Sequence, residues 1–204
     1  MVGMYRREVK RMLTFAIPCL FGLEGLVGSE LRRLELRDVQ VENGRVLCRG
    51  TAADLPRLNI HLRCGERVLL QLGSFPARSF EALFQGTAAL PWEDFIPADG
   101  QFPVKGHALD SQLHSVPDCQ KIIKKAAAKR LGERYGLEKL PETGAKHQIQ
   151  FAIMRDQCFL YLDTSGPGLH KRGYRAVGVA APLRETLAAA LVLLSRYRGR
   201  DPFR

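Results

Sequence analysis

The chain has 204 residues, 46% hydrophobic and 25% charged, the balance of a globular protein of one ordinary domain or two small ones. That balance excludes a disordered, collagen-like or membrane-embedded class. Lys and Arg outnumber Asp and Glu by 31 to 21, a net charge of +10 that suits nucleic acid, an anionic membrane surface or an acidic protein.

A basic start from Arg6 to Arg11 is followed by an apolar stretch over 13–23, the outline of a short signal peptide. Pro18, Gly22 and Glu24 interrupt it, no small-x-small cleavage site follows, and the chain continues directly into an amphipathic pattern. No stretch approaches the ~20 apolar residues of a membrane span, so no membrane partner is expected. The five cysteines, Cys19, Cys48, Cys64, Cys119 and Cys158, include no Cys-x-x-Cys pair and no histidine at zinc-ligand spacing. They read as reduced thiols, mostly buried, of a cytoplasmic protein with no metal site.

Residues 14–18 form a short apolar run, and Leu23, Leu26, Val27, Leu31 and Leu34 then recur at helical spacing. Asn43-Gly44 between alternating residues is a hairpin turn, because both turn positions must tolerate positive φ; a two-residue loop pairs Val41 with Val46 and Val39 with Cys48. Thr51 is placed to cap a second helix to about Leu62, and Val68, Leu70 and Leu72 alternate in a strand. The order βαββαβ is the ferredoxin-like arrangement, two helices on one side of a four-stranded antiparallel sheet.

After Gly73 the character changes. Phe80, Leu83, Phe84 and Ala88 predict a helix stopped by Pro91, and Phe102 with Val104 predict a strand before a loop over 105–116. A long helix then runs from Pro117 to about Tyr135 with Ser115 as its cap. Strands at 149–153 and 159–163 follow, joined tightly at 155–157. These elements make a second α/β unit packed beside the first. Residues 164–168 break the last strand, 169–181 form a basic loop, and Pro182 opens a helix to about Tyr197. Leu183, Leu187, Leu191, Val192, Leu193 and Leu194 are apolar on more than one face of it, so it calls for burial on several sides.

The charge is concentrated. Residues 119–139 carry seven bases against two acids and residues 166–204 eight against two, so these segments hold the whole excess. At 100° per residue, Lys121, Lys124, Lys125 and Lys129 share one arc of the long helix, with Cys119, Ile122, Ile123 and Ala126 opposite. Solvated helix faces mix signs, whereas this stripe has few interleaved acids, which favours phosphate binding. The loop with Lys171, Arg172, Tyr174 and Arg175 adds guanidinium forks and an aromatic suited to phosphates and bases; composition fits a merely solvated linker equally well. No phosphate-cradling Gly-rich motif, zinc spacing or nucleophile elbow is present. His61, His107, His114, His147 and His170 are scattered, and Cys119 at a helix start reads as packed rather than activated.

Three stretches together carry a resemblance. They are Phe15-Ala-Ile-Pro-Cys-Leu-Phe-Gly-Leu-Glu24, then Ser111-x-Leu-x-Ser115-x-Pro-x-x-Gln120-x-x-x-Lys124-Lys125-Ala126, and Asp163-Thr-Ser-Gly-x-Gly-Leu-His-Lys-Arg-Gly-Tyr-Arg175 followed by Ala181-Pro-Leu-Arg-Glu-Thr-Leu. The sequence resembles the bacterial THUMP-domain RNA methyltransferases, in the class I S-adenosylmethionine-dependent branch that methylates the exocyclic amine (N2) of a guanine in large-subunit (23S) ribosomal RNA. The resemblance implies an α+β chain: a ferredoxin-like domain over 13–74 packed with a THUMP RNA-binding domain over 75–165. A linker and the first helix of a Rossmann-like methyltransferase domain would occupy 166–204.

In that family a segment like Asp201-Pro-Phe-Arg204 runs into an Asp-Pro-x-Cys-Gly-Ser-Gly-Thr cofactor loop, and an Asn-Pro-Pro-Tyr-type motif follows later. Neither is in this sequence, so the expectation is an RNA-binding portion that binds no S-adenosylmethionine and methylates nothing by itself. Lys105, Lys121, Lys124, Lys125, Lys129, Lys171, Arg172, Tyr174 and Arg175 would hold the RNA, with large-subunit rRNA as the expected partner, delivered to a catalytic domain outside this chain. Two alternatives stay open: the THUMP module of a tRNA-modifying enzyme such as a thiouridine synthetase, and an interaction fragment that binds an acidic protein through the helix after Pro182.

Overall fold

A computed structural model describes residues 11–174, 181–195 and 197. Of these described residues, those up to Leu70 and from Thr164 onward form one compact unit, and Gln71–Asp163 form a second.

The first unit contains β1 (Leu13–Pro18), α1 (Glu24–Arg33), β2 (Arg37–Glu42), β3 (Arg45–Gly50), α2 (Asp54–His61) and the start of β4 (Leu69–Pro76). The strand order is β2-β3-β1-β4, the ferredoxin-like topology the pattern predicts. Alternation along β1 and β3 turns Phe15, Ile17, Val46 and Cys48 inward, where they meet Val27 and Leu31 of α1 and Leu58 of α2, all at most 1% exposed. Each such side chain contributes roughly 1.5–3 kcal/mol on burial.

Asn43-Gly44 is the β2–β3 turn, with Gly44 at φ 76°, and Val41 faces Val46 as expected. The expected Val39–Cys48 pair is not made. The register shifts between Arg37 and Gln40, so that Arg37 opposes Arg49, and Asp38 takes φ 49°; one extra residue makes a β-bulge there. Thr51 does not cap α2 by accepting a helix N–H: its own N–H and hydroxyl both donate to Asp54 Oδ2, at 2.8 and 3.0 Å.

The segment after Thr164 is fastened to this unit. The N–H and hydroxyl of Thr164 donate to the Val68 carbonyl, at 3.1 and 2.8 Å, and the Ser165 hydroxyl accepts from the Val68 N–H and donates to Asn59. A single 3-10 turn spans Leu169–Lys171. The last helix, α5, covers Glu185–Leu194, shorter than the expected 182–197. Arg184 is extended at ψ 139°, so Pro182 precedes the helix rather than opening it. Thr186 and Ala190 are buried, while Leu183, Leu191, Val192 and Leu194 stay exposed.

The second unit contains α3 (Phe80–Ala88), β5 (Val104–Leu109), α4 (Val116–Tyr135), β6 (Ile149–Met154) and β7 (Gln157–Asp163), in strand order β4-β7-β6-β5. The β6–β7 hairpin turns through Arg155 and Asp156, both at positive φ, close to the joint expected. Strand β5, parallel to β6, corrects the loop expected from residue 105. Gly106 sits so close to β6 that a Cβ there would lie 2.2 Å from the Phe151 carbonyl oxygen, which is why a residue of low strand propensity occupies an edge strand.

Ser79 caps α3 by accepting the Ala82 N–H at 3.2 Å. Behind it Trp92 is fully buried, its indole N–H donating to the Thr87 carbonyl at 2.8 Å. Helix α4 buries Cys119, Ile123, Ala126, Ala127 and Leu131 and stops at Gly136 in the left-handed conformation, φ 66°, the usual helix C-terminus. Among the described residues no helix is long and apolar enough to cross a membrane.

Candidate nucleic-acid interface

Helix α4 presents its apolar face inward, so its other face must point to solvent. Lys121, Lys125 and Lys129 occupy positions i, i+4 and i+8, which rise about 6 Å per step on one side of the helix. All three are exposed. Lys125 makes no ion pair among the described residues. Lys121 approaches Asp118 at 3.6 Å and Lys129 approaches Glu133 at 3.8 Å, and Lys129 also stands 5.8 Å from the Phe84 ring centroid. Exposed pairs of this kind contribute only ~0.3–0.5 kcal/mol, so an incoming phosphate displaces them at little cost. Ser115 occupies the N-cap position as expected, but its hydroxyl donates to Asp118 at 2.5 Å instead of accepting a helix N–H. The Ser115 hydroxyl holds the Asp118 carboxyl below its ordinary range.

Lys124 departs from the expected stripe. It turns aside, with Nζ donating to Glu142 at 2.5 Å and to the Phe102 carbonyl at 3.3 Å, and lies 3.5 Å above the Phe102 ring centroid. Two thirds of its side chain is covered. The ammonium is satisfied by a carboxylate, a carbonyl and an aromatic face together, so Lys124 fastens α4 to neighbouring segments and is not free for a phosphate. Arg130 is committed in the same way, binding Glu93 through Nε and a terminal nitrogen at 3.0 and 2.6 Å, while Arg134 gives Glu93 only its Nε, at 2.8 Å. The hydrogen bond from Arg130 holds the Glu93 carboxyl far below its ordinary range, at about 2.

Lys105 is exposed but does not join the stripe. In the β5–β6–β7 register it lies in a row with Gln150 and Tyr161. Strand alternation puts that row on the sheet face opposite the buried Ile153 and Cys158. A cation that the sequence did not single out is Lys146, from the stretch before β6. A backbone bridge between Gln101 and Lys146 brings it to the rim of a groove of about 590 Å³ that also contains Lys121, Lys124 and Glu142. That bridge joins residues 45 apart in sequence, so no local pattern announces it.

In the first unit the predicted loop residues divide. Lys171 and Tyr174 are exposed, Tyr174 at 77%. Arg172 instead caps the end of α2, its guanidinium donating to the carbonyls of Asn59 and Ile60 at 2.7 and 3.4 Å. Arg175 lies outside the described residues. His170 Nδ1 comes within 2.9 Å of Glu66 Oε2 without the alignment of a hydrogen bond. Glu66 also accepts from the Thr186 hydroxyl at 2.5 Å and pairs with Arg184 at 3.5 Å.

The cysteines form no disulfide. Burial pushes the Cys48, Cys64 and Cys158 thiols up to about 12, and burial, then the Asp118 charge, raises Cys119 as well. Cys119 is therefore not an activated nucleophile. Among the described residues no three His, Cys, Asp or Glu side chains gather into a metal-holding group.

Two family models match the chain: "RlmL ferredoxin-like domain" over residues 14–69 and "THUMP domain" over residues 77–163. The chain is 44% identical over 184 residues to "Putative RNA methyltransferase YpsC" of Bacillus subtilis, covering 89% of this chain and 48% of that protein. It is 33% identical over 175 residues to "Ribosomal RNA large subunit methyltransferase K/L" of Syntrophotalea carbinolica, covering 84% of this chain and 24% of the relative. A crystal structure from Listeria monocytogenes, titled a predicted N6-adenine-specific DNA methylase, superposes with a TM-score of 0.89 at 45% identity, covering 94% of this chain and 50% of that one. The chain thus spans about half, or a quarter, of the length of these relatives. It belongs to the family whose members join an RlmL-type ferredoxin-like domain to a THUMP domain, and two relatives of that kind are named as RNA methyltransferases.

Proposed function

We propose that this chain is the RNA-binding portion of an S-adenosylmethionine-dependent RNA methyltransferase and that α4 is its principal contact with the phosphate backbone. The observation that carries the reading is the exposed row Lys121, Lys125 and Lys129 on a helix whose opposite side is buried. Ammonium groups on a rigid rod hold phosphates without reading base edges. Lys146 widens this surface at the groove, while Lys105, Lys171 and Tyr174 serve as lesser contacts.

The substrate that fits the relatives' names is large-subunit ribosomal RNA, and the finer proposal is a guanine N2 as the methylated atom. The work done here is delivery: remote contacts orient one nucleotide for a reaction carried out by residues beyond this chain, in a Rossmann-like domain that holds S-adenosylmethionine.

The test is a binding titration with a structured RNA and with a duplex DNA of equal length, at several salt concentrations. RNA affinity is expected to fall log-linearly with salt, at about −0.7 to −0.9 per neutralised phosphate, and to exceed DNA affinity. Absent or salt-insensitive RNA binding would defeat the reading. A second reading, an interaction module for an acidic protein, draws on the exposed Leu191 and Leu194 of α5 and Leu183 just before it, and a result with no RNA binding would favour it.

A further inference from the structure

Away from α4, the first unit contains a cavity of about 520 Å³ between α1, the end of α2, the 3-10 turn and α5, within the size range of small-ligand sites. Its apolar wall includes Leu34, Leu169 and Ile60, and Ile60 is 66% exposed. Tyr174 stands at the mouth, 77% exposed. An aromatic face and an aliphatic wall left open to water together make a surface for a flat, largely apolar ring.

The charge around the cavity is one-sided in its availability. Glu30, only 5% exposed, accepts the backbone N–H groups of Arg63 and Cys64 at 3.2 and 3.1 Å and Arg63 Nε at 3.2 Å. Glu185 accepts the Arg172 N–H at 3.2 Å. Both carboxylates lining the cavity are thus engaged by internal donors. Arg33 and Arg63 both line the cavity; Arg33 makes no ion pair among the described residues, and Arg63, its side chain 55% exposed, gives Glu30 only its Nε. Guanidinium forks match phosphate oxygens in pairs, and no carboxylate is left over to receive an amine.

We propose that this cavity takes one unpaired nucleotide of the RNA, its base against Tyr174 and the Ile60 wall and its phosphate on Arg33 and Arg63. The proposal rests on the RNA-binding reading above and adds to it a second site with a different task. The α4 row holds a strand by its phosphates, whereas a stacking pocket selects a nucleotide that has left its helix.

The test uses the whole chain and an RNA hairpin with a single 4-thiouridine in its loop, photo-crosslinked and mapped by mass spectrometry. The label is expected on Tyr174 or within residues 59–63. Tyr174→Ala and Arg33→Ala should each weaken binding of this hairpin by about tenfold, with Tyr174→Phe close to wild type and the circular dichroism of all three unchanged, because both side chains are exposed. If wild-type chain binds the hairpin while Tyr174→Ala binds it equally well and no crosslink reaches the cavity, the inference falls and the α4 reading stands. If wild-type chain binds no RNA at all, both fall.

Discussion

Helix α4 and the 169–174 loop show how two basic segments put their charge to different uses. A helix satisfies its own backbone, so its outward lysines have nothing internal to serve: Lys121, Lys125 and Lys129 stay exposed. The loop lies against the end of α2, whose last carbonyls have no intrahelical partner, and Arg172 is taken up in meeting two of them. Even within α4 the division holds, since Lys124, Arg130 and Arg134 leave the open face to bind Glu142 and Glu93. Counting bases locates a charged segment; which of them a ligand can use depends on whether neighbouring backbone and carboxylates already claim them.

The largest expected effect comes from reversing the free row. Lys121→Glu, Lys125→Glu and Lys129→Glu combined should weaken RNA binding by at least about 100-fold at low salt while leaving the thermal midpoint within a few degrees, as read by filter binding and calorimetry. Unfolding of this variant at room temperature would instead show that the row is structural, like Lys124.

Next is the clamp on the other side of the helix. The Glu93 carboxyl is held at about 2, below its ordinary 4.5, so its stabilising contribution is complete above about pH 4.5 and is lost as the pH falls toward 2. Chemical denaturation across that window should show a loss on the order of 2 kcal/mol. Glu93→Gln should be destabilised at neutral pH and lose most of that acid dependence. The same sensitivity in the variant would mean that other carboxyls carry it.

Lys124 sharpens the contrast most cleanly, because it sits one position from Lys125 in sequence. Lys124→Met is expected to cost about 1–2 kcal/mol of stability, from the lost Glu142 pair and Phe102 contact, and to change RNA affinity by less than about twofold. Lys125→Met should do the reverse. A smaller effect on stability is expected for Arg172→Ala: about 1 kcal/mol, with faster amide exchange after Leu62 and through 169–174, and a loss of RNA affinity smaller than that of Tyr174→Ala. A larger loss of affinity than of stability there would return Arg172 to the RNA-binding set.

The ferredoxin-like half was legible from the sequence because its signals are local. One amphipathic repeat gave α1, and Asn43-Gly44 gave the hairpin. The bulge at Asp38 was not legible, since an aspartate at positive φ looks like any strand residue until its partner strand is in place. Strand β5 was hidden because Gly106 weakens its strand pattern, and only the close approach of Phe151 explains the glycine. The lysine row of α4 followed from helical periodicity. The diversion of Lys124 depends on Glu142, 18 residues away across a turn, and periodicity carries no such information. Lys146 was missed for the same reason.

The most direct measurement compares how RNA affinity falls with salt for wild-type chain and for Lys121→Ala, Lys125→Ala and Lys129→Ala combined. The slope of log affinity against log salt should become shallower by about 2 to 3 in the variant. Equal slopes would mean that the phosphates rest elsewhere and that the exposed face of α4 is not where RNA is held.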